Sequence, residues 1–374
     1  MNTVEAEFTR VLNYNDLVLS NLGYIIGAGI FVLIGKTLNI AGSSAWISVL
    51  LSGIVIYLVS NAYVKVHNEY KANNSEILAI TDKFGKFTGN IAVWVTLIML
   101  IFIAYVVILA FGDYLEAFSN FRISSSIACI IGLLTTVAFN IYGINMTVRL
   151  NNVITTSGLV GLGIIIVLGV VYMFNNARSV MANFKNIKNS FNIADVLYGA
   201  FIFMFAYTGF EMIIRLNKES IDGDRDIPNA IHDSIWITIV VYTALCLIMI
   251  GVFDSHMTMS NRPFVDLIER LTTNKYIIKY IEYCGVALTW TTILFSITQS
   301  SRILREYAAG ESIPFQIPLL AEINETTKTP INCILIVTLV IIGLLMSKLN
   351  LMSAATVANA GLVLTILLVY FSSL

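Results

Sequence analysis

Ile25-Ile26-Gly27-Ala28-Gly29-Ile30 sits in the middle of one long apolar run, and Phe205-Ala206-Tyr207-Thr208-Gly209-Phe210-Glu211 sits in another in the second half of the chain. A glycine in an apolar helix commonly serves close packing through small residues, and Gly23-xxx-Gly27 taken alone fits that role. Two glycines flanking one small residue at mid-run lower the cost of leaving helical geometry. If the helix breaks there, freed N–H and C=O groups need partners at membrane depth, which is tolerable only where they line a cavity. The new helix start carries partial positive charge and suits a carboxylate, while unwound carbonyls suit an ammonium group. An amino acid carries both groups on one carbon.

The runs around these breaks define the fold. The chain has 374 residues, 57% of them apolar and 12% charged, with a mean hydropathy of +0.82. A soluble domain carries about 25% charged residues. Apolar blocks near twenty residues long recur, each the length a helix needs to cross roughly 30 Å of hydrocarbon. Ile164–Tyr172 is apolar at every position, whereas a barrel strand would alternate polar residues inward. The chain is therefore read as an all-α membrane protein with about ten transmembrane helices, at 15–38, 43–65, 90–111, 123–143, 153–174, 194–216, 233–253, 281–303, 330–347 and 351–371. The last two, joined through Ser347–Asn350, are expected to form a tight hairpin. Residues 254–280 are amphipathic, with Phe264, Leu267, Ile268 and Leu271 at helical spacing, and read as a helix lying at the membrane interface; an extracellular gate is the alternative.

The ten spans divide five and five. Gly29 and Gly209 mark the first helix of each group, so the first and sixth helices are expected to be broken. Paired interruptions at corresponding positions of two halves point to a secondary-transporter site. An odd number of spans per repeat makes the repeats, about 15–174 and 194–371, inverted within a single domain covering 1–374. Glu211 is the carboxylate placed inside a span; an acid there is costly and either functional or a hydrogen-bonded brace for the break.

Other classes lack support in the residues. The formal net charge is −1, which gives no electrostatic case for nucleic acid. The cysteines Cys129, Cys246, Cys284 and Cys333 fall in or beside apolar blocks and read as small core residues, and no metal-ligand spacing or P-loop is present. No cofactor and no enzymatic residue set is expected. Glu5, Glu7, Arg10 and Asp16 precede the first apolar run, so no cleavable signal peptide is evident. With the N-terminus cytoplasmic, loops on that side hold a slight majority of Lys and Arg, Arg215 counted among them. An integral, multi-pass location with a cytoplasmic N-terminus follows, and nothing names the host membrane.

At this point the chain resembles the amino acid–polyamine–organocation (APC) superfamily of permeases, which share the leucine-transporter (LeuT) fold. The resemblance rests on Ile26-Gly27-Ala28-Gly29-Ile30-Phe31 with Ala41-Gly42, on Phe203 to Glu211, and on Glu219 with Arg225 to Ile231. Ser300 to Leu304, Ala308 to Pro314 and Thr329 to Asn332 extend it in order along nearly the whole chain. It implies a permease moving amino acids or related amines by alternating access. In that reading the substrate carboxylate meets the N–H groups of Ala28 and Gly29 beside Gly27. The ammonium group meets the carbonyls of Ile25, Phe205 and Thr208 next to Gly209, and the Phe205 ring gates. Tyr207 and Glu211 are gating or supporting residues. The lipid bilayer and a small amino acid or amine are the partners, with a coupling proton or sodium ion left open.

Two departures stand out. Some relatives carry a lysine in the fifth helix shortly after an Asn-Asn-Val start; here Asn151-Asn152-Val153 is followed by Gly158 at that position, so coupling through such a lysine is not expected. Relatives commonly have helices beyond the tenth, which this sequence does not show. A non-transporting amino-acid sensor or receptor-like protein retaining the fold is accordingly the alternative to a permease.

Overall fold

A computed structural model describes residues 10, 12–72, 74–142, 144–185, 191–253, 262–309, 317–324, 326, 327 and 329–374. The described residues are almost wholly helical. The first helix, α1 (Tyr14–Ile25), starts on a reciprocal cap: the Asn13 side chain accepts from the Asp16 N–H and the Asp16 carboxylate accepts from the Asn13 N–H, both at 3.1 Å. After two non-helical residues α2 (Ala28–Ala41) continues the run. Then follow α3 (Ala45–Tyr70), α4 (Ser75–Phe118), α5 (Ser125–Tyr142) and α6 (Ile144–Asn175). A short α7 (Ala177–Lys185) leads to the second half.

That half opens with α8 (Ile193–Phe203), which gives way to 3₁₀ stretches at Met204–Tyr207 and Met212–Glu219. It continues with α9 (Gly223–Val252), α10 (Pro263–Leu271), α11 (Lys275–Ala308), the single turn α12 (Pro318–Ala321), α13 (Ile331–Ser347) and α14 (Leu351–Ser372). Lys348, with φ of 51°, ends α13, and the Asn350 side chain caps α14 by accepting from the Met352 N–H at 2.8 Å. The turn is as short as the sequence predicts, but the two helices diverge from it: α13 packs on α11 and α14 on α4 rather than on each other as a hairpin.

Eight described stretches are long and apolar enough to cross a membrane, the first of them spanning α2 and α3 together, and Ile331–Ser347 is a shorter apolar helix. With the first and second spans separated, these are the ten spans in two groups of five, and the helices broken are the first and the sixth. The long α11 lies against α4, α14 also packs on α4, and α3 packs on α9 and α8. Outward-facing Phe87, Leu134, Val160, Val167, Val240 and Leu339 are exposed. Such a surface would be a liability in water and is the expected one in hydrocarbon. All four cysteines are buried and free.

Two features differ from what the residues alone suggest. Within 254–280, residues 254–261 lie outside the described set. The helix α10 turns its apolar face onto protein: Phe264, Val265, Leu267 and Ile268 are buried, and the Phe264 ring lies 4.8 Å from that of Phe31. Burying one such phenylalanine contributes roughly 1.5–3 kcal/mol relative to water, which lipid would supply as well; packing against Phe31 is what favours protein. The interior also carries more charge than one glutamate. Glu76, Arg215 and Glu282 are buried together with Glu211, so Arg215, counted above as a loop cation, belongs to the core.

Candidate functional site at the helix breaks

Ile26 (φ −82°, ψ 63°) and Gly27 (φ −112°, ψ −138°) form the turn between α1 and α2. The Gly27 N–H folds back to the Ile25 carbonyl at 2.9 Å. Among the described residues no side chain caps α2. Its first N–H groups, those of Ala28 and Gly29 included, therefore keep the positive end of the helix for some other acceptor.

In the second break, Thr208 is extended (φ −60°, ψ 147°) and Gly209 has φ of 105°, a conformation that a Cβ disfavours. The Phe205 carbonyl accepts from the Thr208 N–H at 3.1 Å and from the Thr208 hydroxyl at 2.7 Å. The Glu211 carboxylate accepts from the Gly209 N–H at 3.1 Å and so holds the turn that leads out of the break. The Tyr207 hydroxyl donates to the Val49 carbonyl at 3.3 Å, which directs that side chain toward α3.

The two breaks touch. A Cβ built on Gly29 would stand 2.5 Å from the Ala206 Cα, and one on Gly209 would stand 2.9 Å from the Tyr24 carbonyl oxygen. A Cβ on Gly27 would meet the Thr292 hydroxyl of α11 at 1.8 Å. Gly29 and Gly209 thus let the first and sixth helices approach at backbone distance, and Gly27 leaves room for a side chain of α11. Ile25, Gly27, Gly29, Phe205, Thr208 and Gly209 are all buried within this contact.

Sequence reading missed the residue that ties the breaks together. Tyr242 of α9 is fully buried, and its hydroxyl lies 3.0 Å from the Ile25 carbonyl and 3.2 Å from the Ala206 carbonyl. A phenol has one proton, so it serves one carbonyl at a time or shares the bond between them. Its ring stacks edge-on with Phe203 and tilts against Tyr207. A lone tyrosine in an apolar run carries no periodic signal that would have singled it out. Among the described residues no His, Cys, Asp and Glu group could hold a metal ion; the oxygens near the breaks are carbonyls, hydroxyls and the single carboxylate of Glu211.

With this geometry in hand, comparison with known proteins is specific. A family model described as "Amino acid permease" matches residues 12–374. Cationic amino acid transporter 5 of Arabidopsis thaliana is 25% identical over 342 residues, covering 89% of this chain and 59% of that protein. Large neutral amino acids transporter small subunit 2 of Mus musculus is 26% identical over 331 residues, covering 84% of this chain and 60% of that protein. The chain spans about three fifths of the length of these relatives. Among solved structures, the substrate-bound outward-open state of a Na+-coupled sialic acid symporter superposes with a TM-score of 0.61 at 12% identity, over 95% of this chain and 75% of that one. At that identity the likeness is one of fold.

Proposed function

Since the chain belongs to the amino acid permease family, we propose that it is a secondary active transporter that moves amino acids or related amines by alternating access. The observation that carries this reading is the backbone contact of the two breaks, Gly29 on Ala206, with Tyr242 tied to a carbonyl of each. In this reading the substrate carboxylate sits on the N–H groups of Ala28 and Gly29. The ammonium group takes carbonyls of Ile25, Phe205 and Thr208. The Ile25 and Phe205 carbonyls each already accept two hydrogen bonds, as many as their lone pairs allow. The ammonium group therefore enters by replacing the hydroxyl of Tyr242 or of Thr208, and its charge favours the exchange.

Main-chain recognition of this kind reads the common core of an amino acid and leaves the side chain to other contacts. The plant and mouse relatives, whose names specify cationic and large neutral amino acids, accord with such a core. Glu211 braces the break in this reading, the Phe205 ring gates, and the N-terminus is cytoplasmic. The coupling ion is a proton or sodium. Uptake of a panel of radiolabelled amino acids into proteoliposomes, with and without pH and sodium gradients, tests the proposal. Concentrative uptake of at least one is expected. Thermal stabilisation by an amino acid without flux would instead identify a non-transporting sensor, and neither effect in folded, inserted protein would overturn the reading.

A further inference from the structure

At the end of the bundle that carries Leu12, the half-helix following the second break is fastened by charge. Arg215 lies in the 3₁₀ stretch Met212–Glu219. Its guanidinium meets the Glu76 carboxylate of α4 at 2.8 Å and the Gln299 side-chain oxygen of α11 at 2.8 Å. The Arg215 and Glu76 side chains are only 9% and 4% exposed. The second Glu76 oxygen and the neighbouring Ser75 hydroxyl are buried without a hydrogen-bond partner among the described residues. Two residues along, Asn217 contacts His67 and Asp224, each at 3.3 Å, and the Ile221 N–H donates to the Leu12 carbonyl at 2.9 Å. At the other end the seal is aromatic: Phe31 lies edge-on to Tyr114 and tilted against Phe264, and all three are buried.

We propose that the Arg215–Glu76–Gln299 cluster is a latch that closes this end of the pathway, opening by hydration when the half-helix 212–219 swings away from α4 and α11. The inference rests on the alternating-access reading and deepens it by assigning the residues of one closure. A dry ion pair gains from mutual attraction about what it loses in desolvation. Admitting water returns both charges to a favourable solvent, so the wet and dry states lie close in free energy. An apolar seal has no such balance, because water entry exposes its surface outright. The half-satisfied Glu76 carboxylate strengthens the bias: water has an unfilled acceptor waiting at the latch.

Alkylation of engineered thiols tests this in detergent-solubilised full-length protein, using a water-soluble maleimide. Ser300→Cys reports on the latch end, since Ser300 follows Gln299 and is fully buried. Val265→Cys reports on the apolar end, and the parent chain supplies the background from its buried cysteines. In the Arg215→Met, Glu76→Leu pair, which replaces both charges by apolar side chains, labelling at Ser300→Cys is expected to slow at least fivefold while labelling at Val265→Cys stays level. If the pair does not fold, Gln299→Met decides: it takes an acceptor from the Arg215 guanidinium and should accelerate labelling at Ser300→Cys alone. Unchanged labelling at Ser300→Cys, or an equal change at both ends, would overturn the latch. The readout needs no transported substrate, so its outcome is separate from that of the uptake experiment.

Discussion

Gly29 lies on the backbone of Ala206, so close that a Cβ at position 29 would stand 2.5 Å from the Ala206 Cα. Backbone cannot swing aside as the end of a side chain can. Any residue larger than glycine must push the two breaks apart or distort one of them, at a cost of typically 1–3 kcal/mol. Gly29→Ala is expected to reduce uptake in proteoliposomes at least tenfold, and Gly29→Leu to abolish it, in protein that still purifies as a monodisperse species. Normal uptake by a folded Gly29→Leu variant would remove the breaks as the substrate site. At Gly27 the facing group is the Thr292 hydroxyl, a side chain, so Gly27→Ala combined with Thr292→Ala should recover part of the loss that Gly27→Ala alone produces.

Tyr242 is expected to tune substrate affinity more than stability. Tyr242→Phe deletes one hydroxyl shared by the Ile25 and Ala206 carbonyls, a net contribution of about 1 kcal/mol. That corresponds to a change of about fivefold in KM for uptake. Maximal rate should change less. A variant whose KM is untouched while its thermal stability falls would make Tyr242 a packing residue only.

Glu211 can be assigned as a brace or as more than one by two substitutions. Its carboxylate accepts from the Gly209 N–H, and a glutamine can do the same. Glu211→Gln should therefore fold with near-parent thermal stability. Glu211→Leu leaves that buried N–H without an acceptor and should lose about 1–3 kcal/mol. Uptake measured on Glu211→Gln then separates the roles: retained transport leaves the brace as a sufficient account, and lost transport in a stable protein shows that the carboxyl group does more than brace.

For Arg215 and Glu76 the single and double substitutions should differ in sign of severity. Arg215→Met alone strands a buried carboxylate and is expected to cost about 3–5 kcal/mol, whereas Arg215→Met with Glu76→Leu should lie within about 1 kcal/mol of the parent or above it. Thermal unfolding in one detergent at one pH measures both. Equal losses for the single and the double variant would mean that the pair is not a coupled buried unit.

Gly158 bears on coupling. A Cβ at that position would lie 2.5 Å from a Leu288 methyl, so the space a fifth-helix lysine would need is filled by leucine. Gly158→Lys alone is expected to lower the yield of folded protein, and Leu288→Ala to relieve it. Unimpaired folding of Gly158→Lys would show that the lysine fits without relief.

Much of the fold was legible in order along the chain because a bilayer imposes a length and an apolar content on every span, and both are local properties of sequence. The ten spans, the short turn at Ser347–Asn350 and the two interruptions at Gly27–Gly29 and Gly209 follow from those local rules. What faces what is not local. The charge of Arg215 looked like a loop residue because it stands near the end of its span, yet the 3₁₀ path after Gly209 carries it inward to Glu76, a partner far away in sequence. The segment 263–271 had an amphipathic face that lipid or protein could cover, and only the neighbouring Phe31 decided for protein. Tyr242 is one apolar-run tyrosine among several until the two breaks are brought against it. Sequence by itself determined a ten-span helical bundle with two breaks; the tertiary structure decided which atoms meet at them, because hydrogen bonds and ion pairs act over ångströms in space, whatever the separation along the chain.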